Sequence, residues 1–87
     1  MDILLDKHLK GKTIEESVLN VCQEVLKIDK KILEEKYFDK SIPLDSLDHL
    51  EINYRLSNIY NIELDEEEFG KLNTIENMVT YIIINKK

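Results

Sequence analysis

The chain contains one proline, Pro43, and the residues that follow it constrain the possible folds more than any other stretch. A proline cannot sit inside a helix, and it biases the residue before it, Ile42, towards an extended backbone. A loop therefore ends here, and Leu44-Asp45-Ser46-Leu47-Asp48-His49-Leu50-Glu51 opens a helix that runs to about Tyr60. Asp45 or Ser46 is its N-cap, since either side chain can accept from the unpaired N–H groups of a first helical turn. The same turn carries the positive end of the helix dipole, so a phosphate esterified to Ser46 would meet favourable electrostatics.

The apolar residues of this helix form two stripes. At about 100° of rotation per residue, Ile52, Leu56, Ile59 and Tyr60 share one side, and Leu47, Leu50 and Tyr54 share a nearly opposite one. A small helical domain buries one stripe well. The longer stripe is expected in the core, which leaves Leu47, Leu50 and Tyr54 exposed beside Ser46, rimmed by Asp48, Glu51 and Asn58, as a docking surface. The alternative is a fully buried helix with one polar edge.

Length and composition set the outer limits. Eighty-seven residues allow one small domain, and 43% hydrophobic with 34% charged residues describes a globular chain instead of a disordered one. A net charge of −6 disfavours nucleic acid and anionic membrane surfaces and favours partners rich in Lys and Arg. The single Cys22 rules out an internal disulfide framework, and no Cys/His cluster has metal-ligand spacing. No apolar run approaches the ~20 residues of a membrane span, and residues 1–12 lack an export signal. A cytoplasmic monomer is expected.

Thr13 with Glu16 forms a capping box, so the first secure helix is expected to begin at Thr13. Ile14, Val18, Val21 and Val25 give it one buried face, widened by Leu19, Cys22 and Leu26, with Cys22 an inert core thiol. Before it, Ile3, Leu4, Leu5 and Leu9 form either a short helix ended by Gly11 or a loosely held arm. From Lys27 to Ile42 the chain is charged and punctuated by Ile28, Ile32, Leu33, Tyr37, Phe38 and Ile42. It reads as a long surface loop with apolar anchors, or as a connector holding a short helix near Lys30 to Tyr37.

Beyond the central helix, Asn61, Ile62 and Leu64 make a turn. Asp65 with Glu68 caps a short helix that Gly70 stops and that plugs Phe69 into the core. Thr74 caps the last helix, whose buried stripe is Ile75, Met78, Val79 and Ile82 to Ile83, with positive charge at its end from Lys86 and Lys87. The count is an all-α, four-helix bundle with one short helix and a long first loop. Catalysis finds little support: His49 lies three positions from Ser46, but no oxyanion turn or third orienting group accompanies it. Asp65 to Glu68 lacks the alternating ligands and the glycine of a calcium loop.

Asp45-Ser46-Leu47-Asp48 followed by Leu50-Glu51 resembles the phosphopantetheine-attachment motif of acyl carrier proteins, in which the serine is the modified residue. The likeness runs from about Thr13 to Ile84. It includes Thr13-Ile14-Glu15-Glu16 at the start of a first helix, Phe38 as an anchor of the first loop, Ile62-Glu63-Leu64, the acidic run Asp65 to Glu68, and Asn73-Thr74-Ile75. It implies a carrier domain over 13–87, preceded by an extension over 1–12.

The resemblance also implies a function. A phosphopantetheinyl transferase would attach 4′-phosphopantetheine from coenzyme A to Ser46, next to Asp45, and the arm would hold an acyl group as a thioester. Leu47, Asp48, Leu50, Glu51 and Tyr54 would address acyl- or aminoacyl-transferring enzymes with basic docking surfaces, and the interior beside the helix could shelter the chain. Pro43-Leu44 stands where the fatty-acid type of the family has Gly-Ala, and Arg55, Ser57 and Asn58 thin the expected acidic character. Leu44-Asp45-Ser46 is also what stand-alone carriers for D-alanine and secondary metabolites tend to have. A fatty-acid or polyketide-type acyl carrier and an aminoacyl carrier therefore stand side by side. Two further classes are an unmodified helical interaction module and, more weakly, a small hydrolase built on Ser46 and His49.

Overall fold

A computed structural model describes the backbone over residues 3–85 and the side chains over residues 13–85. The described residues are all-helical: α1 (Ile3–Leu26), α2 (Lys30–Tyr37), α3 (Ser46–Tyr60), α4 (Glu66–Phe69) and α5 (Ile75–Asn85). α1 packs against α2, α3 and α5, while α2 touches α5 and α4 lies on α3. Among the described residues, no helix is long and apolar enough to cross a membrane.

The expected bundle forms, with two changes at its N-terminal half. The helix predicted to begin at Thr13 begins at Ile3 and passes through both Gly11 and Thr13 without a break. A mid-helix glycine costs only about 1 kcal/mol relative to alanine, too little to end a helix that propagates from both sides. The apolar face proposed for Ile3, Leu4, Leu5 and Leu9 lies outside the described side chains, and the charge of Lys86 and Lys87 lies outside the described residues. The connector adopts the second of its two readings: Lys30–Tyr37 is a helix, capped by Asp29, whose carboxylate accepts from the Lys31 N–H at 2.8 Å.

The core gathers the predicted stripes. Ile14, Val18, Leu19, Val21 and Cys22 of α1 meet Leu33, Ile52, Leu56, Phe69, Ile75, Met78 and Ile82, all buried. Two positions were assigned wrongly by periodicity. Ile59 is 53% exposed and Ile83 48% exposed, each at the edge of its stripe; Ile59 borders an open groove between α1 and α3. Asn53 occupies the core in their stead, at 6% exposure. Its amide donates to the Leu64 carbonyl at 3.3 Å and accepts from the Ser57 hydroxyl at 3.0 Å, so burial leaves it paired.

The loops are stitched together by the main chain. Ile42 N–H donates to the Asn73 carbonyl at 2.7 Å and Glu76 N–H to the Phe38 carbonyl at 2.9 Å, which docks the segment before Pro43 onto the start of α5. Asp65 caps α4 and Thr74 caps α5, as the sequence predicts, with Glu68 N–H and Asn77 N–H each donating at 3.0 Å. Gly70 ends α4 for another reason than the one expected. Its φ is −63°, not left-handed, and a Cβ there would meet the Glu66 carbonyl oxygen at 3.0 Å. The left-handed positions are Lys27, after α1, and Asn61, after α3.

Cys22 is fully buried, and burial pushes its thiol from 9.0 up to about 12, since an apolar core solvates a thiolate poorly. The folded value lies above the unfolded one, so this contribution to stability is whole below about pH 9 and fades as pH climbs towards about 12. A thiol reagent at pH 8 is expected to label the native protein roughly a hundred-fold or more slowly than the urea-unfolded chain. Equal labelling rates would place Cys22 at the surface.

Candidate functional site

The central helix starts as a closed capping box. Asp45 is the N-cap, its backbone extended at φ −94° and ψ 177°; its Oδ1 accepts from Asp48 N–H at 2.8 Å, while Asp48 Oδ2 accepts from Asp45 N–H at 3.3 Å. Of the two caps the sequence allowed, Asp45 is the one used, and Ser46 becomes the first helical residue. Its side chain is exposed and its Oγ has no hydrogen-bond partner among the described residues. The N–H groups of Ser46 and Leu47 likewise make no bond with the described residues.

Around Ser46 stand the residues singled out from the sequence. Leu47 is 74% exposed, Tyr54 66% and Leu50 48%, so the second apolar stripe faces solvent as expected. Glu51 accepts from Arg55 Nε at 3.1 Å, and the same guanidinium donates to Glu24 of α1 at 2.6 Å. Arg55 thus spends its charge on two carboxylates within the molecule. Asp48 is committed to the capping box.

Two grooves flank this helix. One of about 540 Å³ is lined by Leu44, Ser46, His49, Leu50, Asn53, Glu66, Gly70 and Asn73. A second, of about 600 Å³, continues past Leu50, Asn53 and Glu66 to Glu51, Tyr54, Ser57 and Asn58. The groove beside Ser46 is therefore walled by Leu44 and Leu50 but otherwise mostly by polar side chains. Its Glu66 carboxylate makes no ion pair or hydrogen bond with the described residues.

Three polar residues of the site make bonds that the sequence does not announce: it offers His49 only as the base of a weak hydrolase alternative and Asn73 only as part of the family likeness, and does not single out Asn53. His49 turns its ring away from Ser46: Nε2 lies 3.0 Å from the Leu72 carbonyl oxygen and 3.1 Å from Asn73 Oδ1, and Nδ1 lies 3.2 Å from the Asp45 carbonyl oxygen. Asn73 receives both His49 and Ile42, and Asn53 fixes α3 to the segment before α4. All three depend on partners 11 to 31 positions away, so no local spacing could have announced them. Among the described residues no group of His, Cys, Asp and Glu side chains could hold a metal ion.

Comparison with known proteins bears on what this arrangement is for. Residues 16–82 match the model of the phosphopantetheine attachment site. The chain is 36% identical to the acyl carrier protein of Helicobacter hepaticus over 72 residues, covering 82% of this chain and 95% of that one. It is 33% identical to the acyl carrier protein of Buchnera aphidicola from Acyrthosiphon pisum, covering 82% and 90%. It is 38% identical to that of Campylobacter hominis, covering 74% and 73%. No solved structure gives a significant match. With its matched region spanning α1 to α5, the chain belongs to the phosphopantetheine attachment-site family of acyl carriers, whose cofactor is 4′-phosphopantetheine.

Proposed function

We propose that Ser46 is the residue that carries the phosphopantetheine arm, and that the protein presents an acyl thioester on it to enzymes of fatty-acid or polyketide-type biosynthesis. The observation that carries this is the Ser46 hydroxyl itself: exposed, unpaired, and held on the first turn of α3 by a capping box that does not use it. In the transfer step its oxygen attacks the phosphorus of coenzyme A that bears the pantetheine. A new O–P bond forms, the P–O bond to the adenosine bisphosphate breaks, and the hydroxyl proton passes to a base of the transferase. The free N–H groups of Ser46 and Leu47 and the dipole of a 15-residue helix favour the phosphodiester that results. Once attached, the arm supplies a terminal thiol for thioester chemistry; the protein supplies the tether's fixed end and an address.

Leu47, Leu50 and Tyr54 form the apolar part of that address, within an acidic surround of Asp48, Glu51 and Glu66. Partners with basic surfaces are steered to it, and association slows as salt screens the attraction. Leu47→Asp is expected to lower the transferase's kcat/KM about 10- to 30-fold while leaving the melting temperature within about 2 °C, because Leu47 is 74% exposed and supports no core. An unchanged kcat/KM would move the docking surface elsewhere. The function itself is tested by incubating the protein with coenzyme A, magnesium and a transferase, then measuring intact mass. One added phosphopantetheine is expected; none, where a control carrier is fully converted, would favour an unmodified interaction module.

A further inference from the structure

The face between α3 and the α4–α5 segment is joined differently from the rest of the bundle. α1 packs directly on α2, α3 and α5, whereas α3 reaches this side mainly through the single turn of α4. Along this seam hydrogen bonds supplement the burial of Phe69 in the core. At the Ser46 end, His49 Nε2 sits 3.0 Å from the Leu72 carbonyl and 3.1 Å from Asn73 Oδ1; one turn on, Asn53 donates to the Leu64 carbonyl at 3.3 Å. The groove of about 540 Å³ that contains Ser46 lies over these ties, with His49, Asn53 and Asn73 in its wall. The helices on either side contribute fully buried residues to the core, Ile52 and Leu56 from α3 and Phe69 from α4.

We propose that His49 is a specificity-determining latch: by clamping the first turns of α3 to residues 72–73 it keeps the seam shut, so that cargo stays in the open polar groove. Short acyl groups bearing a hydrogen-bonding substituent are thereby selected over long alkyl chains. This rests on Ser46 being the attachment residue. A long alkyl chain gains from the protein only where it leaves water for an apolar surface, and the groove offers little: laid there it would cover Asn53, Glu66 and Asn73 without bonding to them. To reach Ile52, Leu56 and Phe69 it must part the seam, and each hydrogen bond of the clamp weights that opening against it by roughly two- to twelve-fold. A hydroxyl or amino substituent meets in the same groove the Glu66 carboxylate, which has no partner among the described residues and can accept from it.

The test loads wild type, His49→Ala and His49→Gln with butyryl, 3-hydroxybutyryl and octanoyl arms, using the corresponding coenzyme A thioesters and a transferase, with loading scored by intact mass. Melting temperatures and backbone amide shifts are then compared. In wild type the octanoyl and butyryl forms are expected to melt within about 1 °C of each other, and the 3-hydroxybutyryl form to move the amides of His49, Asn53 and Asn73. In His49→Ala the octanoyl form is expected to melt roughly 6–11 °C above its own butyryl form, as about tenfold of released opening implies. His49→Gln, whose amide can still donate to Leu72, is expected to restore wild-type behaviour. A His49→Ala protein lowered equally in all three loaded forms would make the residue a structural prop and overturn the latch. So would a wild-type octanoyl form already melting well above the butyryl one, a result that needs no variant to fold. Failure of any arm to add to wild type would remove the attachment reading as well, and is seen separately in the mass.

Discussion

Replacing Ser46 by alanine is expected to abolish phosphopantetheine transfer while the protein keeps its fold. The expected loss is complete, because no other side chain in the site supplies an exposed hydroxyl in the first turn of α3, and a methyl group cannot form the new O–P bond. The fold survives because Ser46 contributes nothing to the capping box. Asp45 and Asp48 close that box between themselves at 2.8 and 3.3 Å, and alanine is the best helix former at an exposed position. Circular dichroism and the melting temperature of Ser46→Ala should match wild type to within about 2 °C, with transfer measured by intact mass under conditions that convert wild type fully. Residual transfer to the variant at a comparable rate would assign the arm to another residue.

Phe69→Ala is expected to cost about 3–5 kcal/mol of stability, the range for removing a buried aromatic side chain. A helix of four residues has no stability of its own, so α4 exists because it is fastened at three points. Asp65 accepts from Glu68 N–H, Gly70 N–H donates to the Glu66 carbonyl, and Phe69 is fully buried with its ring edge-to-face against Tyr81 at 6.1 Å. Of these only Phe69 joins α4 to the core. A domain of this size has a total stability of roughly 5–10 kcal/mol, so the variant should lose roughly a third or more of it. Urea denaturation followed by circular dichroism measures the loss, and amide exchange at Gly70 and Leu72 should speed up first, since both belong to the segment that α4 anchors. A loss under about 1 kcal/mol would contradict the view of Phe69 as the plug.

The two variants separate the two halves of the design. On the proposed reading Ser46 carries the function and is structurally idle; Phe69 is structural and lies outside the proposed chemistry, yet it holds up the wall of the groove that Ser46 opens into, through Glu66 and Gly70. Their effects should therefore not correlate, and a Phe69→Ala protein held folded by osmolyte should still accept the arm.

What the sequence made legible was whatever rests on local geometry. The caps at Asp45, Asp65 and Thr74 involve donors three residues away in the chain, and Leu47, Leu50 and Tyr54 lie on a stripe that a small bundle has no means to cover. The position of Phe69 next to Gly70 likewise sufficed to place it in the core. Where the reading erred, a tertiary partner or the propagation of an established helix decided. Thr13 and Glu16 satisfy the capping-box pattern, but the pattern does not require the chain before it to be non-helical, and α1 runs through it. Asn53 is hydrophilic by type and buried, with bonds to Leu64 and Ser57; Ile59 is apolar and left half outside, at an open groove between α1 and α3. His49 was legible as a polar residue near Ser46 and, more weakly, as a hydrolase base; its hold on Leu72 was not, since that carbonyl lies 23 positions further on.

The most direct measurement isolates the protein from its own cell, digests it, and weighs the peptide that contains Ser46. The account predicts that this peptide carries phosphopantetheine and that fragmentation places the added mass on the Ser46 side chain. Recovery of the peptide only at its unmodified mass, or with the added mass on any other residue, would contradict it.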